Sequence, residues 1–330
     1  MLRLPPFEYY TPQNITEAVS LKARFGEDAM YSAGGTDLYP NMKRKQCTPN
    51  TLIGLNELKE LSLINIDDDG ISLGSGISLN EVANHPEIQK LYPALSKAAS
   101  LVSAPQLRNM GTIGGNLCLD TRCTYYNQTY PWRKALGFCL KKDGDICWVA
   151  RSSPFCLAIS SSDCAPVAVA LNAEFHLTGE NGQRITAAEE FYLNDGISFL
   201  NKTHDELLVS IRIPSHEGWL MGYKKLRRRD SIDFPVLSVA TALHLDKAGV
   251  CKNARTRMPR ASTGTVLWHA RGHPWHSPLG RLPGMPRAPT GLALRHGCGR
   301  LWHSCSGEHS SFVWLGHSMG VTNDPKIIRC

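Results

Sequence analysis

MYSAGGTDL, residues 30–38, runs a short strand pattern straight into paired glycines, and GTIGGN at residues 111–116 repeats the device some seventy-five positions later. Glycine lets a chain turn its N–H groups outward with no Cβ in the way, and successive N–H donors form a nest for an anion. Thr36, Thr112 and Asn116 add short polar side chains suited to a pyrophosphate. Neither stretch matches the G-x-G-x-x-G dinucleotide fingerprint or the P-loop pattern. A single Gly-Gly is most often a plain turn; two in this order say more.

Working outward, Asn14-Ile15-Thr16-Glu17 reads as a capping box opening a helix through Ala18, Val19, Leu21 and Ala23 to Gly26. Strands are predicted over residues 29–32 and 51–55, so the first 55 residues form a small α/β unit. Short strands then take over. LSLINID and ISLGSG flank the turn Asp68-Asp69-Gly70, a hairpin signal. Ser78-Leu79-Asn80-Glu81 is a second capping box opening a helical stretch through Pro86 to Ala98, followed by helical SAPQLRNM. Residues 164–171 form an apolar helix, AEFHLTGENGQRITA a hairpin, and ELLVSIRIP and FPVLSVATALHLD further strand or helix candidates.

The chain has 330 residues, enough for two or three domains, and ordinary globular composition. No apolar run reaches the ~18 residues of a membrane span, and MLRLPPFEYYTPQN has no signal-peptide pattern. A cytoplasmic location is expected, with no membrane association. The net charge of +7 is unevenly placed. From Cys251 onward eleven Lys and Arg face only Glu308 and Asp324, whereas the first 250 residues are near neutral. A nucleic-acid partner is therefore not expected of the folded part. The basic, Trp- and His-rich stretch after about residue 254 has no apolar period; it reads as the product of a shifted reading frame, or as a disordered or nucleic-acid-binding tail.

Residues 116–156 read NLCLDTRCTYYNQTYPWRKALGFCLKKDGDICWVARSSPFC. Clustered cysteines in a chain without an export signal point to metal or redox chemistry rather than disulfides. Cys123, Cys139, Cys147 and Cys156 are spaced C-x15-C-x7-C-x8-C. Four thiolates suit an iron–sulfur cluster wrapped by a long loop. Zinc takes the same ligands, but its common structural sites use short paired knuckles, absent here; unligated buried thiols are the remaining reading. Cys118 and Cys164 read as core packing.

AGGTDL, GTIGGN and SSDCAPVAVAL, which begins at Ser161, resemble the three FAD-contacting stretches of the flavin subunits of the xanthine dehydrogenase and carbon monoxide dehydrogenase family. The resemblance runs to about residue 253. It implies an α+β fold with a PCMH-type FAD-binding domain of two subdomains, a small α/β one and a larger α+β one, followed by a C-terminal α+β domain. By position, Ala33, Gly34, Gly35, Thr36, Asp37 and Leu38 with Thr112, Gly114, Gly115 and Asn116 would grip the FAD pyrophosphate, and Asp163 would meet its ribityl or ribose region. Lys225, in YKKLRRRDSIDFP, falls where the family brings a polar or basic contact to the flavin; its neighbours from Lys224 to Arg229 read equally well as a solvated edge.

Most members pass almost directly from the second glycine turn to the aspartate helix, whereas here about forty residues intervene. That insertion, about 119–160, is similar to the one in the 4-hydroxybenzoyl-CoA reductase branch, whose flavin subunits carry an extra [4Fe–4S] cluster. The resemblance then implies Cys123, Cys139, Cys147 and Cys156 as cluster ligands, ferredoxin as electron donor, and two partners: a small subunit with two [2Fe–2S] clusters and a large molybdopterin subunit that binds substrate. An ordinary xanthine or carbon monoxide dehydrogenase-like flavin subunit is the alternative. The expected layout is residues 1–55 and 56–214 as the two FAD-binding subdomains, 215–254 as the start of the C-terminal domain, and 255–330 as an aberrant tail that truncates it, leaving the strand LSVATALHLD without partners.

Overall fold

The protein is described by a computed structural model covering residues 2–258 and the two short strands Ser311–Phe312 and Ile328–Arg329. Its first unit is a parallel sheet of β1 (Glu8–Tyr10), β2 (Ala29–Ser32) and β3 (Thr51–Gly54), in the order β1-β3-β2. All four residues of β3 are buried, as a central parallel strand requires. The helix α1 (Ile15–Phe25) covers the sheet, with Ala18 and Val19 inward against Ile53. Its capping box closes one residue earlier than expected: Asn14 Oδ1 accepts from the Glu17 N–H at 2.9 Å, but Glu17 Oε2 accepts from Gln13. Gly26, at φ +57°, ends the helix. Helix α2 (Leu38–Lys43) follows the first glycine turn.

The second unit is a five-stranded antiparallel sheet, order β4-β5-β8-β6-β7. Its strands are β4 (Ile64–Asp67), β5 (Gly70–Gly74), β6 (Glu174–Gly179), β7 (Gly182–Ala187) and β8 (Leu207–Pro214). Both hairpins form at the turns read from the sequence. Between β5 and β6 run α3 (Leu79–Asn84), α4 (Pro86–Leu91), α5 (Pro93–Ser100), α6 (Pro105–Met110), α7 (Ile113–Leu117), α8 (Tyr130–Ala135) and α9 (Ala165–Ala170). A short α10 (Ala188–Phe191) follows β7. The single helical stretch expected from Ser78 to Ala98 is three helices, because Pro86 and Pro93 lack an N–H and each starts a new one. Ile71, Leu73, Phe175, Leu177, Ile211 and Ile213 bury one sheet face against Val82, Leu95, Ala98 and Val167.

A third, antiparallel sheet holds β9 (Trp219–Leu226), β10 (Leu237–Leu245) and β11 (Cys251–Arg257), order β11-β10-β9. This corrects one expectation: LSVATALHLD has a partner on each side, with Ala240 paired to Tyr223 and to Arg257. Ladder bonds come from backbone groups, which the basic residues after Asn253 supply like any others. Arg257 is buried and ion-pairs Glu189 at 2.6 Å. The shifted-frame and nucleic-acid readings of the rest of the tail lie outside the described residues. No described helix is long and apolar enough to cross a membrane.

Candidate functional site

A cavity of about 870 Å³ is lined by both glycine turns. Ala33, Gly34, Gly35, Thr36, Asp37 and Leu38 line it, as do Thr112, Gly114, Gly115, Asn116 and Asp163. The two turns touch: a Cβ on Gly34 would lie 1.8 Å from the Met110 carbonyl oxygen. At the first turn the N–H groups of Gly34, Gly35, Thr36 and Asp37 have no acceptor among the described residues. Four successive free donors lining a cavity are an anion nest. The second turn is built differently. Thr112 caps α7, and its neighbours spend their N–H groups inside the protein: Ile113 on the Ile77 carbonyl, Gly114 on that of Ser75, and Gly115 on Thr112 Oγ1. Sequence reading treated the two turns alike; in the structure only the first offers a run of free donors.

Asn116 also faces inward. Its Oδ1 accepts from Ser162 Oγ at 2.8 Å and from the Cys164 N–H at 3.1 Å, anchoring the segment that carries Asp163. Replacing Asn116 with alanine leaves both buried donors without their acceptor. We expect a loss of about 1–3 kcal/mol in a denaturant titration, whereas an unchanged midpoint would mean water takes over both bonds.

Asp163 itself is 2% exposed. Lys225 Nζ donates to its Oδ2 at 2.8 Å and Tyr223 OH to its Oδ1 at 2.6 Å. Burial pushes the Asp163 carboxyl above its ordinary range, against the pull of Lys225 and the two hydrogen bonds. Lys225 also donates to the Leu101 carbonyl at 3.0 Å. It is not among the cavity-lining residues and reaches the site through Asp163. Sequence reasoning did not single out the loop between β9 and β10, which brings Ile232, Asp233 and Phe234 to the cavity. Ile232 holds a φ of +51°, a strained setting for a β-branched residue. Nothing in DSIDFP signals this, because the strain is imposed by packing: the Ile232 N–H donates to the Ser103 carbonyl at 3.2 Å.

The cysteine segment is closed at its base, where Arg122 and Ile159 exchange backbone hydrogen bonds at 2.7 and 2.9 Å. All four candidate ligands lie inside that loop. Cys139, Cys147 and Cys156 are buried and Cys123 is half-buried; none is in a disulfide. Among the described residues no three His, Cys, Asp or Glu side chains gather closely enough to hold a metal ion. Two observations fit a buried anionic group. Arg133, 1% exposed, has no carboxylate partner among the described residues; its Nη2 donates to the Arg44 and Lys45 carbonyls, while its Nε and Nη1 lack acceptors. The Ala158 N–H donates to Cys156 Sγ at 3.4 Å, and Gly196 packs so closely that a Cβ there would lie 2.7 Å from that sulfur.

Residues 5–216 match the family model described as the FAD binding domain in molybdopterin dehydrogenase. The chain belongs to this family. The FAD-binding chain is 31% identical over 228 residues to the carbon monoxide dehydrogenase medium chain of Hydrogenophaga pseudoflava, covering 68% of its own length and 65% of that protein's, just under two thirds. It is also 31% identical to the aldehyde oxidoreductase FAD-binding subunit PaoB of Escherichia coli K12, over 73% of this chain and 78% of that one. Among solved structures it is similar to a chain of the Hydrogenophaga pseudoflava carbon monoxide dehydrogenase, with a TM-score of 0.64, 27% identity and coverage of 81% and 78%. The mixed α+β architecture expected from the glycine turns is thus the observed one. The cavity fits FAD: the first turn's free donors suit its diphosphate.

Proposed function

We propose that this chain is the FAD subunit of a molybdenum-containing enzyme of the hydroxylase type, relaying electrons to a [2Fe–2S] small subunit and a molybdopterin large subunit. More narrowly, we propose a 4-hydroxybenzoyl-CoA reductase, a ferredoxin-dependent enzyme of anaerobic aromatic degradation in the cytoplasm, with residues 1–55 and 56–214 as its two FAD-binding subdomains and 215–254 as the start of its C-terminal domain. The relatives' names support the broad reading. The narrow one rests on this chain's own insertion: a loop closed at Arg122 and Ile159 that carries four cysteines, three of them buried.

Bound FAD would supply exchange of one or two electrons, and a cluster on Cys123, Cys139, Cys147 and Cys156 would supply one-electron storage. The protein's own part is positional. The first glycine turn binds a diphosphate through backbone donors, Asp163 is held rigid by Lys225 and Tyr223, and the 232–234 segment closes one side of the cavity. Burial pushes the Cys156 thiol up, and a bound metal would favour its thiolate. The alternative is a flavin subunit of another enzyme of the xanthine or carbon monoxide dehydrogenase kind, in which the insertion only packs.

The two readings part on metal content. Anaerobically purified full chain should carry about four irons and one flavin, with a low-temperature EPR signal after dithionite reduction and loss of both iron and signal in Cys139→Ser. Flavin with no iron would defeat the narrow reading and leave the broad one standing.

A further inference from the structure

Two cations of the cysteine segment are spent on the wall of the flavin cavity. Arg122, 8% exposed, ion-pairs Asp37, donates from Nη1 to Asn41 Oδ1 at 3.3 Å, and lies 4.9 Å over the Phe234 ring. Those three partners all line the cavity. Lys141, between Cys139 and Cys147, donates to Asp120 Oδ1 at 2.8 Å, Thr121 Oγ1 at 2.8 Å and the Gly196 carbonyl at 2.6 Å. Asp120 Oδ2 accepts from Tyr126 OH at 3.0 Å, and the Lys141 ammonium sits 4.9 Å over the Tyr126 ring. Asp120 and Tyr126 are cavity wall too.

The same glycine that receives Lys141 holds a cysteine. The Gly196 N–H donates to the Cys156 carbonyl at 2.9 Å, and a Cβ on Gly196 would lie 2.7 Å from Cys156 Sγ. A continuous set of bonds therefore runs from the flavin cavity through Tyr126, Asp120, Lys141 and Gly196 to Cys156. Its central ammonium is 7% exposed, so it cannot be released without leaving a buried charge unpaired.

We propose that Lys141 and Arg122 are positioning residues that tie the cysteine segment to the flavin cavity, so that FAD occupancy and closure of residues 123–158 over their thiols form one coupled equilibrium. The proposal rests on the FAD reading of the cavity and is independent of any cluster. Linkage makes it reciprocal: whatever factor the closed wall adds to FAD affinity, FAD adds to closure.

The test uses the full chain, stripped of metal and kept anaerobic, with iodoacetamide as probe and mass spectrometry reading each cysteine. Saturating FAD should slow alkylation of Cys139, Cys147 and Cys156 about tenfold, within the usual range of coupling between sites, while Cys251, in the third sheet, changes little. Lys141→Met should lose most of that protection and Lys141→Arg should restore it. Equal alkylation with and without FAD, or undiminished protection in Lys141→Met, overturns the proposal. Should Lys141→Met fail to fold, the reverse measurement on the unmutated chain decides: alkylating the three thiols should weaken FAD binding about tenfold, and unchanged affinity overturns it. No FAD uptake by the intact chain would defeat the flavin reading itself, and this coupling with it.

Discussion

Replacing Lys225 with methionine is expected to cost about 3–5 kcal/mol of folding stability, with the deficit largest at neutral pH and shrinking toward pH ~4. Methionine fills much the same space and removes only the charge. What remains is Asp163, 2% exposed, its carboxylate hydrogen-bonded by Tyr223 and favoured only by the more distant charge of Arg227. Burial already lifts the Asp163 carboxyl above its ordinary value of 3.8 even with Lys225 in place, so losing the ammonium must lift it further. A carboxyl raised in the folded chain favours folding while protonated. Its contribution is fully present below the unfolded value and is lost as pH rises through the folded one. The variant, with the more elevated group, therefore loses more than the parent on going up in pH. Urea titrations from about pH 4 to pH 8 would show the difference widening. A deficit flat across that range would assign the loss to packing instead. Pairing the change with Asp163→Asn should recover most of the stability, because a buried ion pair replaced on both sides leaves no uncompensated charge.

That network also shows where sequence reasoning ran out. Asp163 and Lys225 were each legible, the first beside an apolar helix pattern and the second inside a basic run. Their pairing was not, since 62 residues separate them and only the packing of β9 against α5, and of α9 against β10 and β11, brings them together. Lys225 was read by position as a polar or basic contact to the flavin; the bonds its ammonium makes to Asp163, which lines the cavity, and to the Leu101 carbonyl were not legible. The glycine turns were legible because glycine there answers a local backbone demand. The hairpins at Gly70 and Gly182 were legible for the same reason, both glycines having φ beyond +100°. By contrast β1 is three residues, Glu8 and Tyr9 exposed and Tyr10 half-buried, whose strand state depends on its neighbour β3, a signal no local window contains. Arg122 and Lys141 were not singled out from the sequence, where nothing local marks them as buried. Their burial follows from the loop closing at Arg122 and Ile159, again a tertiary fact.

Replacing Gly34 with alanine should weaken FAD binding about 5–150-fold, because the two glycine turns can no longer touch. A Cβ at Gly34 would meet Met110 O at 1.8 Å and Met110 C at 2.5 Å, with the Gly111 Cα at 3.0 Å. All three are backbone atoms, so no side chain can swing aside, and the turns must separate. Overpacking of this kind costs about 1–3 kcal/mol, and at about 1.4 kcal/mol per tenfold that strain gives the stated loss if it falls on the closed cavity. Gly115 is the discriminating control. It also lines the cavity, but a Cβ there would approach only Thr112 Oγ1, at 3.1 Å. If glycine is needed because the ligand comes too close for any side chain, Gly34→Ala and Gly115→Ala should fail together. If it is needed because one turn packs on the other, Gly115→Ala should keep affinity within about threefold, under 1 kcal/mol, while Gly34→Ala loses it. Fluorescence titration of flavin into the two apo variants separates these cases. Equal losses would move the origin of the constraint from the protein's own backbone to the bound diphosphate.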